Sequence, residues 1–200
     1  MSNVPVVAIV GRPNVGKSSL FNALYGERIS IVHDMPGVTR DRLYARATWR
    51  EREFLMIDTG GIELDTDDEM MAGIIDQAQI AIDTADVILY MCDVKAGLTA
   101  SDRDIAIMLR KSGRPVVVCV NKVDNVGDPP PEYFEFYQLG LGDVFPVSAS
   151  HRLGIGELLD AIYDFFPGDS VTEEDEDTVR VALIGKPNAG KSSLSNAMVG

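Results

Sequence analysis

Short apolar runs alternate along this chain with longer stretches in which apolar residues recur every three or four positions. Residues 6–10, 54–57, 87–92, 116–120 and 144–147 form the short runs. Continuous apolar runs of this length suit parallel strands buried on both faces. Residues 17–25, 70–82, 101–112, 132–139 and 155–166 each read as an amphipathic helix. Residues 43–49 alternate instead, and residues 54–57 follow closely, so the two segments are predicted to form a hairpin. The order of elements predicts an α/β fold, a doubly wound and mostly parallel sheet with one antiparallel edge strand. Ligands of such sheets bind beyond the carboxyl ends of the strands. The polar signals of this sequence cluster there.

The alternation breaks at Gly168-Asp169-Ser170-Val171-Thr172-Glu173-Glu174-Asp175-Glu176-Asp177, which has no apolar period and carries a block of like charge. Such a block predicts a solvated linker over residues 168–178. Beyond it the chain repeats itself. Gly11-Arg12-Pro13-Asn14-Val15-Gly16-Lys17-Ser18-Ser19-Leu20 returns as Gly185-Lys186-Pro187-Asn188-Ala189-Gly190-Lys191-Ser192-Ser193-Leu194, again after a strand-like run. A repeat of this size predicts a first domain over 1–167 and the start of a similar second domain over 179–200. The second copy stops at Gly200 inside its helix, so the expectation is a shortened chain with one complete site, not two.

Composition narrows the picture. Of 200 residues, 46% are apolar and 24% charged, the balance of a globular protein. No stretch is long and apolar enough to span a bilayer, and no basic region precedes an apolar run at the N-terminus, which predicts a cytoplasmic chain without a membrane partner. The net charge of −13 argues against nonspecific nucleic-acid binding, because phosphate backbones need a basic surface. Cys92 and Cys119 lie inside apolar runs and read as reduced core residues. His33 and His151 are isolated and have no metal-site spacing.

Gly11-x-x-x-x-Gly16-Lys17-Ser18 matches the Walker A pattern in its strand–loop–helix context. Its glycines let the backbone wrap an anion, with N–H groups of Asn14, Val15, Gly16, Lys17, Ser18 and Ser19 aimed at phosphates. Lys17 would bridge the β- and γ-phosphates, and the Ser18 hydroxyl would ligate Mg²⁺. Asp58-Thr59-Gly60-Gly61 closes a strand, which suits Asp58 to hold Mg²⁺ through water and the Gly61 N–H to meet the γ-phosphate. Alone that string is plain turn chemistry; beside the phosphate loop it gains meaning.

Asn121-Lys122-Val123-Asp124 follows another strand. Guanine offers two adjacent donors, and the Asp124 carboxylate would accept both, whereas adenine lacks that pair. Asn121 would brace the pocket, with the Lys122 stem against the ring. Ser148-Ala149-Ser150 would complete it, the Ala149 N–H donating to the guanine carbonyl. The long polar connector 27–42 reads as a switch loop, in which Thr39 would complete the Mg²⁺ shell of a triphosphate state. Lys17, Thr39 and Gly61 thus carry the catalytic expectation. Arg40 and Arg42 read as exposed. Trp49, Phe54, Phe165 and Phe166 read as core or interface aromatics, and Glu132, Tyr133 and Glu135 as a solvated helix face.

Taken together, the phosphate loop, Thr39, Asp58-Thr59-Gly60-Gly61, Asn121-Lys122-Val123-Asp124 and Ser148-Ala149-Ser150 cover residues 4–166 and resemble the translation-factor-like branch of small GTPases. The second phosphate loop, with Gly37-Val38-Thr39-Arg40-Asp41-Arg42 and Tyr137-Gln138-Leu139-Gly140-Leu141-Gly142, makes the chain similar to the EngA/Der family of bacterial tandem GTPases. The resemblance implies a Ras-like G domain of the P-loop NTPase fold that binds GTP and GDP with Mg²⁺ and hydrolyses GTP. It also implies a role in assembly of the large ribosomal subunit, with ribosome or rRNA contacted through C-terminal parts absent from this chain. Ile62 stands where Ras-like enzymes carry a water-positioning glutamine. Similar GTPases with an asparagine in the phosphate loop, here Asn14, use K⁺ to supply transition-state charge. Two further readings stand beside this one: an RNA-modification or rRNA-binding GTPase of the Era or MnmE type, and a nucleotide-binding module with negligible hydrolysis.

Overall fold

Hydrophobic strands with both faces apolar can only be buried by helices on each side, and that requirement shapes the sheet. The structure, a computed structural model, describes residues 4–25, 30–31, 43–58, 67–125 and 127–166. The chain divides into Met1–Pro167 and Gly168–Gly200, and all described residues belong to the first unit. The predicted linker and the second phosphate loop therefore lie outside the described residues, as do Thr39, Gly61 and Ile62.

The elements in chain order are β1 (Val6–Gly11), α1 (Lys17–Tyr25), β2 (Ser30–Ile31), β3 (Leu43–Trp49), β4 (Arg52–Asp58), α2 (Asp67–Thr84), β5 (Val87–Asp93), α3 (Ala100–Ser112), β6 (Val116–Asn121), a 3-10 helix (Pro131–Leu139), β7 (Val144–Pro146) and α4 (Ile155–Tyr163). The strands form one sheet in the order β2-β3-β4-β1-β5-β6-β7. Neighbours from β4 to β7 run parallel, while β3 is antiparallel to both β4 and β2. The single antiparallel strand was expected, but the edge belongs to β2. Two residues, Ser30 and Ile31, are too few to show an alternation, so the sequence reads through them as connector.

Alternate residues of each buried strand feed opposite cores. Val7 and Ile9 of β1 join Leu20, Phe54, Met91 and Leu158 on one side, whereas Ala8 and Val10 join Ile74, Tyr90, Leu109 and Phe136 on the other. Cys119 faces the first core and Cys92 the second, both buried and free. Parallel register then aligns the carboxyl ends. Asp58, Asp93 and Asn121 are the last residues of β4, β5 and β6, with Ile9 opposite Asp58 and Asp93 opposite Asn121.

Two packing details correct the sequence reading. Residues 132–139 were expected as an amphipathic helix with Tyr133 on a solvated face. With three residues per turn in the 3-10 form, Tyr133, Phe136 and Leu139 share the buried face. The Tyr133 hydroxyl donates to the Val144 carbonyl. Phe134 and Tyr137, three apart, are exposed together. Pro129 and Pro130 precede this helix and Pro131 opens it, the position where a missing N–H costs nothing. The aromatic expectation divides in the same way: Phe54 and Phe166 are buried with ring centroids 5.2 Å apart, while Phe165 is exposed. Trp49 is partly buried and donates from Nε1 to Asp160 Oδ1 at 2.7 Å, tying the β3–β4 hairpin to α4.

The 3-10 assignment makes a testable contrast. Phe136→Ala should destabilise the chain by about 3–5 kcal/mol in urea unfolding, the usual cost of emptying a buried aromatic site. Phe134→Ala should stay within about 0.5 kcal/mol, as exposed positions do. Equal losses at the two positions would mean that the faces are assigned wrongly.

Candidate functional site

Among the described residues, the buried polar side chains of Lys17, Asp58, Asp93, Asn121 and Ser148 gather at the carboxyl edge of the sheet. The loop joining β1 to α1 is fixed by two glycines for different reasons. At Gly11 a Cβ would lie 2.4 Å from the Met91 carbonyl oxygen, so the β5 backbone leaves no room for a side chain. At Gly16 the φ of +100° is strained for any other residue, and a Cβ would lie 2.3 Å from Asn121 Nδ2. Asn14 also has a left-handed backbone, φ 64°. The loop then enters α1 at Lys17, whose first-turn N–H groups have no acceptor within the helix. Those donors and the positive end of the helix dipole suit an anion.

Lys17 is buried, 8% exposed, and its Nζ donates to the carbonyls of Gly11 at 2.7 Å and Arg12 at 2.9 Å. Burial lowers its pKa, and the nearby Asp58 charge works against that shift. An ammonium curled over the loop in this way sits where a phosphate would meet it. Asp58, buried at the end of β4, places Oδ2 3.5 Å from the Ser18 hydroxyl. A hydroxyl beside a carboxylate is a hard oxygen donor set, and so few protein ligands suit Mg²⁺, which keeps most of its water. Val15 buries its side chain in the core and Ser19 is exposed.

The second half of the site grows from β6. Asn121 is buried, and its amide uses both ends: Nδ2 donates to the Val15 carbonyl at 2.8 Å, and Oδ1 accepts from the Ala149 N–H at 3.0 Å. The phosphate loop and the loop after β7 are thereby held by one side chain. Lys122, with φ 66°, sends Nζ back to the Asn14 carbonyl at 2.9 Å and to Asp93 Oδ2 at 2.5 Å. Asp124 accepts from the Ser148 hydroxyl on Oδ1 at 2.7 Å and from Lys95 Nζ on Oδ2 at 2.6 Å. His151 Nδ1 stands 3.5 Å from Oδ1. The Lys95 hydrogen bond, then that of Ser148, pulls the Asp124 pKa down to about 2.

The structure therefore brings together Asn14, Val15, Gly16, Lys17, Ser18, Asp58, Asn121, Lys122, Asp124, Ser148 and Ala149. Four contributors escaped the sequence reading. Asp93 and Lys95 belong to the turn after β5 and hold Lys122 and Asp124. Arg12 donates from Nε to Asp102 Oδ1 at 2.8 Å, anchoring the phosphate loop to α3. Asp102 is fully buried and also closes the capping box with Thr99. Burial opposes the Arg12 charge, but the Asp102 carboxylate outweighs it and raises the guanidinium pKa. The Thr99-x-x-Asp102 spacing was the one signal in the sequence for this anchor.

A phosphate loop tied by an asparagine to a carboxylate-bearing base loop belongs to one class, the P-loop GTPases. Within that class the chain belongs to the family described as 50S ribosome-binding GTPase, whose profile matches residues 6–122 and, separately, 180–200. GTPase Der of Ruminiclostridium cellulolyticum is 60% identical over 98% of this chain, and the chain spans 44% of that relative's length. Era of Aquifex aeolicus, solved bound to GDP.AlF4-, is 32% identical with a TM-score of 0.65, covering 82% of this chain and 57% of Era. Era solved with MgGDPNP and part of 16S ribosomal RNA is 31% identical with a TM-score of 0.64, over 84% of this chain and 58% of that one.

Proposed function

We propose that this chain binds GTP and GDP with Mg²⁺, hydrolyses GTP slowly, and acts as a nucleotide-controlled switch in large ribosomal subunit assembly. The observation that carries the reading is the Asn121 bridge, which joins the phosphate loop to the loop that helps hold Asp124. Specificity and phosphate binding are thus built as one unit.

The loop N–H groups of Asn14, Val15, Gly16, Lys17, Ser18 and Ser19 receive the phosphates, and Lys17 compensates charge between the β- and γ-positions. Ser18 and Asp58 would hold Mg²⁺, which when bound neutralises charge on the phosphate oxygens. Thr39 would join that shell, and the Gly61 N–H would meet the γ-phosphate. Lys122 lays its stem on the base, Asp124, held by Ser148, accepts its two donors, and the Ala149 N–H is shared between Asn121 Oδ1 and the base carbonyl. Asn14 would contribute a ligand to K⁺, which would supply positive charge beside the phosphates, while Ile62 offers the attacking water no hydrogen bond. The ribosomal role is supported by family membership and by the Der relative. Contact with ribosome or rRNA falls to parts of the longer relatives that this chain does not span, since its charge of −13 disfavours RNA. Residues 1–167 form the first G domain, 168–178 the acidic linker and 179–200 the start of a second G domain. No described helix is long and apolar enough to cross a membrane; the switch works in the cytoplasm.

Asp124→Asn should weaken GDP binding and favour xanthine nucleotides, whose ring offers a carbonyl where guanine has an amine. Two charge-assisted bonds of roughly 1.5–3 kcal/mol each are at stake. Nucleotide titrations that give unchanged GDP affinity would refute Asp124 as the selector. Hydrolysis measured at matched ionic strength should run faster in K⁺ than in Na⁺. Equal rates would remove potassium from the account, and bound GTP that turns over in neither salt would favour the passive binding module.

A further inference from the structure

Each charged side chain of the Asn121–Asp124 turn has a partner on the turn that ends β5. Asp93, the last residue of β5, has a side chain only 10% exposed. Its Oδ2 accepts from Lys122 Nζ at 2.5 Å, and its Oδ1 accepts from the Lys95 backbone N–H at 2.9 Å. The second bond closes an Asx turn, which fixes where the Lys95 stem leaves the backbone. Lys95 then reaches outward, and Nζ meets Asp124 Oδ2 at 2.6 Å.

By count of acceptor sites, Asp124 can still take two donors. A carboxylate has about four acceptor sites, two on each oxygen. Ser148 takes one on Oδ1 and Lys95 takes one on Oδ2. Two bonds, one per oxygen, fix the carboxylate plane, and a site on each oxygen remains for a pair of adjacent donors. At Lys122 the logic is similar. Asp93 and the Asn14 carbonyl both hold Nζ, so the stem lies between the base loop and the phosphate loop.

We propose that Asp93 and Lys95 are positioning residues for guanine recognition, Asp93 acting through Lys122 and Lys95 acting through Asp124. This inference rests on the guanine-nucleotide reading above. The two residues set affinity for the base through the side chains they hold. Phosphate binding is built on β1, α1 and β4, and Asp93 reaches it only indirectly, through the Lys122 bond to the Asn14 carbonyl. The pair also explains why the β5 turn carries an acid and a base two residues apart: each neutralises a charge of opposite sign in the neighbouring turn.

The test uses the full chain, with GDP and pyrophosphate titrated separately by calorimetry in Mg²⁺. Lys95→Met should weaken GDP by about two- to fivefold, the range for an exposed ion pair, and Lys95→Arg should restore it. Asp93→Asn should weaken GDP on the order of tenfold, because a largely buried partner of a charged group is lost. Pyrophosphate, which reaches only the phosphate loop, should bind the Lys95 variants as it binds the parent, and should weaken less than GDP in Asp93→Asn, where Lys122 also touches the Asn14 carbonyl. The proposal is overturned if GDP affinity is unchanged in both variants, if pyrophosphate weakens as much as GDP, or if Lys95→Arg behaves like Lys95→Met. Should Asp93→Asn fail to fold, the two Lys95 variants decide the matter, since that side chain is 63% exposed. Asp124→Asn run in parallel separates the two levels: unchanged GDP binding there sinks the guanine reading itself, whereas a loss there without a loss in Lys95→Met or Asp93→Asn sinks only the positioning role.

Discussion

One buried amide holds this site together. Asn121 ends the parallel strand β6, and its side chain spends its donor on the phosphate loop and its acceptor on the loop after β7. A buried amide with one end unpaired would carry a desolvation cost of about 1–3 kcal/mol, so the two loops are constrained to keep their places together. The same contact explains Gly16, because any Cβ there would run into Asn121 Nδ2. Loop geometry, strand register and base recognition are therefore a single constraint.

Around that tie the fold places charge in pairs. Arg12 and Asp102 pin the outer side of the phosphate loop to α3, where Tyr90 adds a hydrogen bond to the Asp102 carbonyl at 3.1 Å. Burial pushes the Tyr90 phenol well up, which keeps it a neutral donor. On the base side, Asp93 with Lys122 and Lys95 with Asp124 form a second, more exposed set. The buried pair fixes the scaffold, because breaking it would strand a charge in the interior. The exposed pair orients groups that must also meet a ligand.

Much of this was legible in the sequence, for a physical reason. Strands buried on both faces must be continuously apolar, so β1, β5, β6 and the end of β4 stand out, and the polar residue that ends β4, β5 and β6 marks the carboxyl edge. Asp58 and Asn121 were found in that way. Asp93 obeys the same rule but was missed, because Asp-Val-Lys after a strand is ordinary turn chemistry until its partners across the edge are known. Arg12 was read as a spacer within the loop pattern, since nothing local announces that a residue ninety positions away will receive it. Tyr133 was misplaced because the difference between three and 3.6 residues per turn reassigns faces over a short segment. β2 was missed because two residues carry no period.

The central claim is that one set of loops reads guanine and phosphate together. Calorimetric titration of the chain with GDP and with ADP, in Mg²⁺, addresses it most directly. The account predicts saturable binding of GDP and binding of ADP weaker by orders of magnitude, because adenine leaves the Asp124 carboxylate without its donor pair. Comparable affinities for the two nucleotides would contradict it.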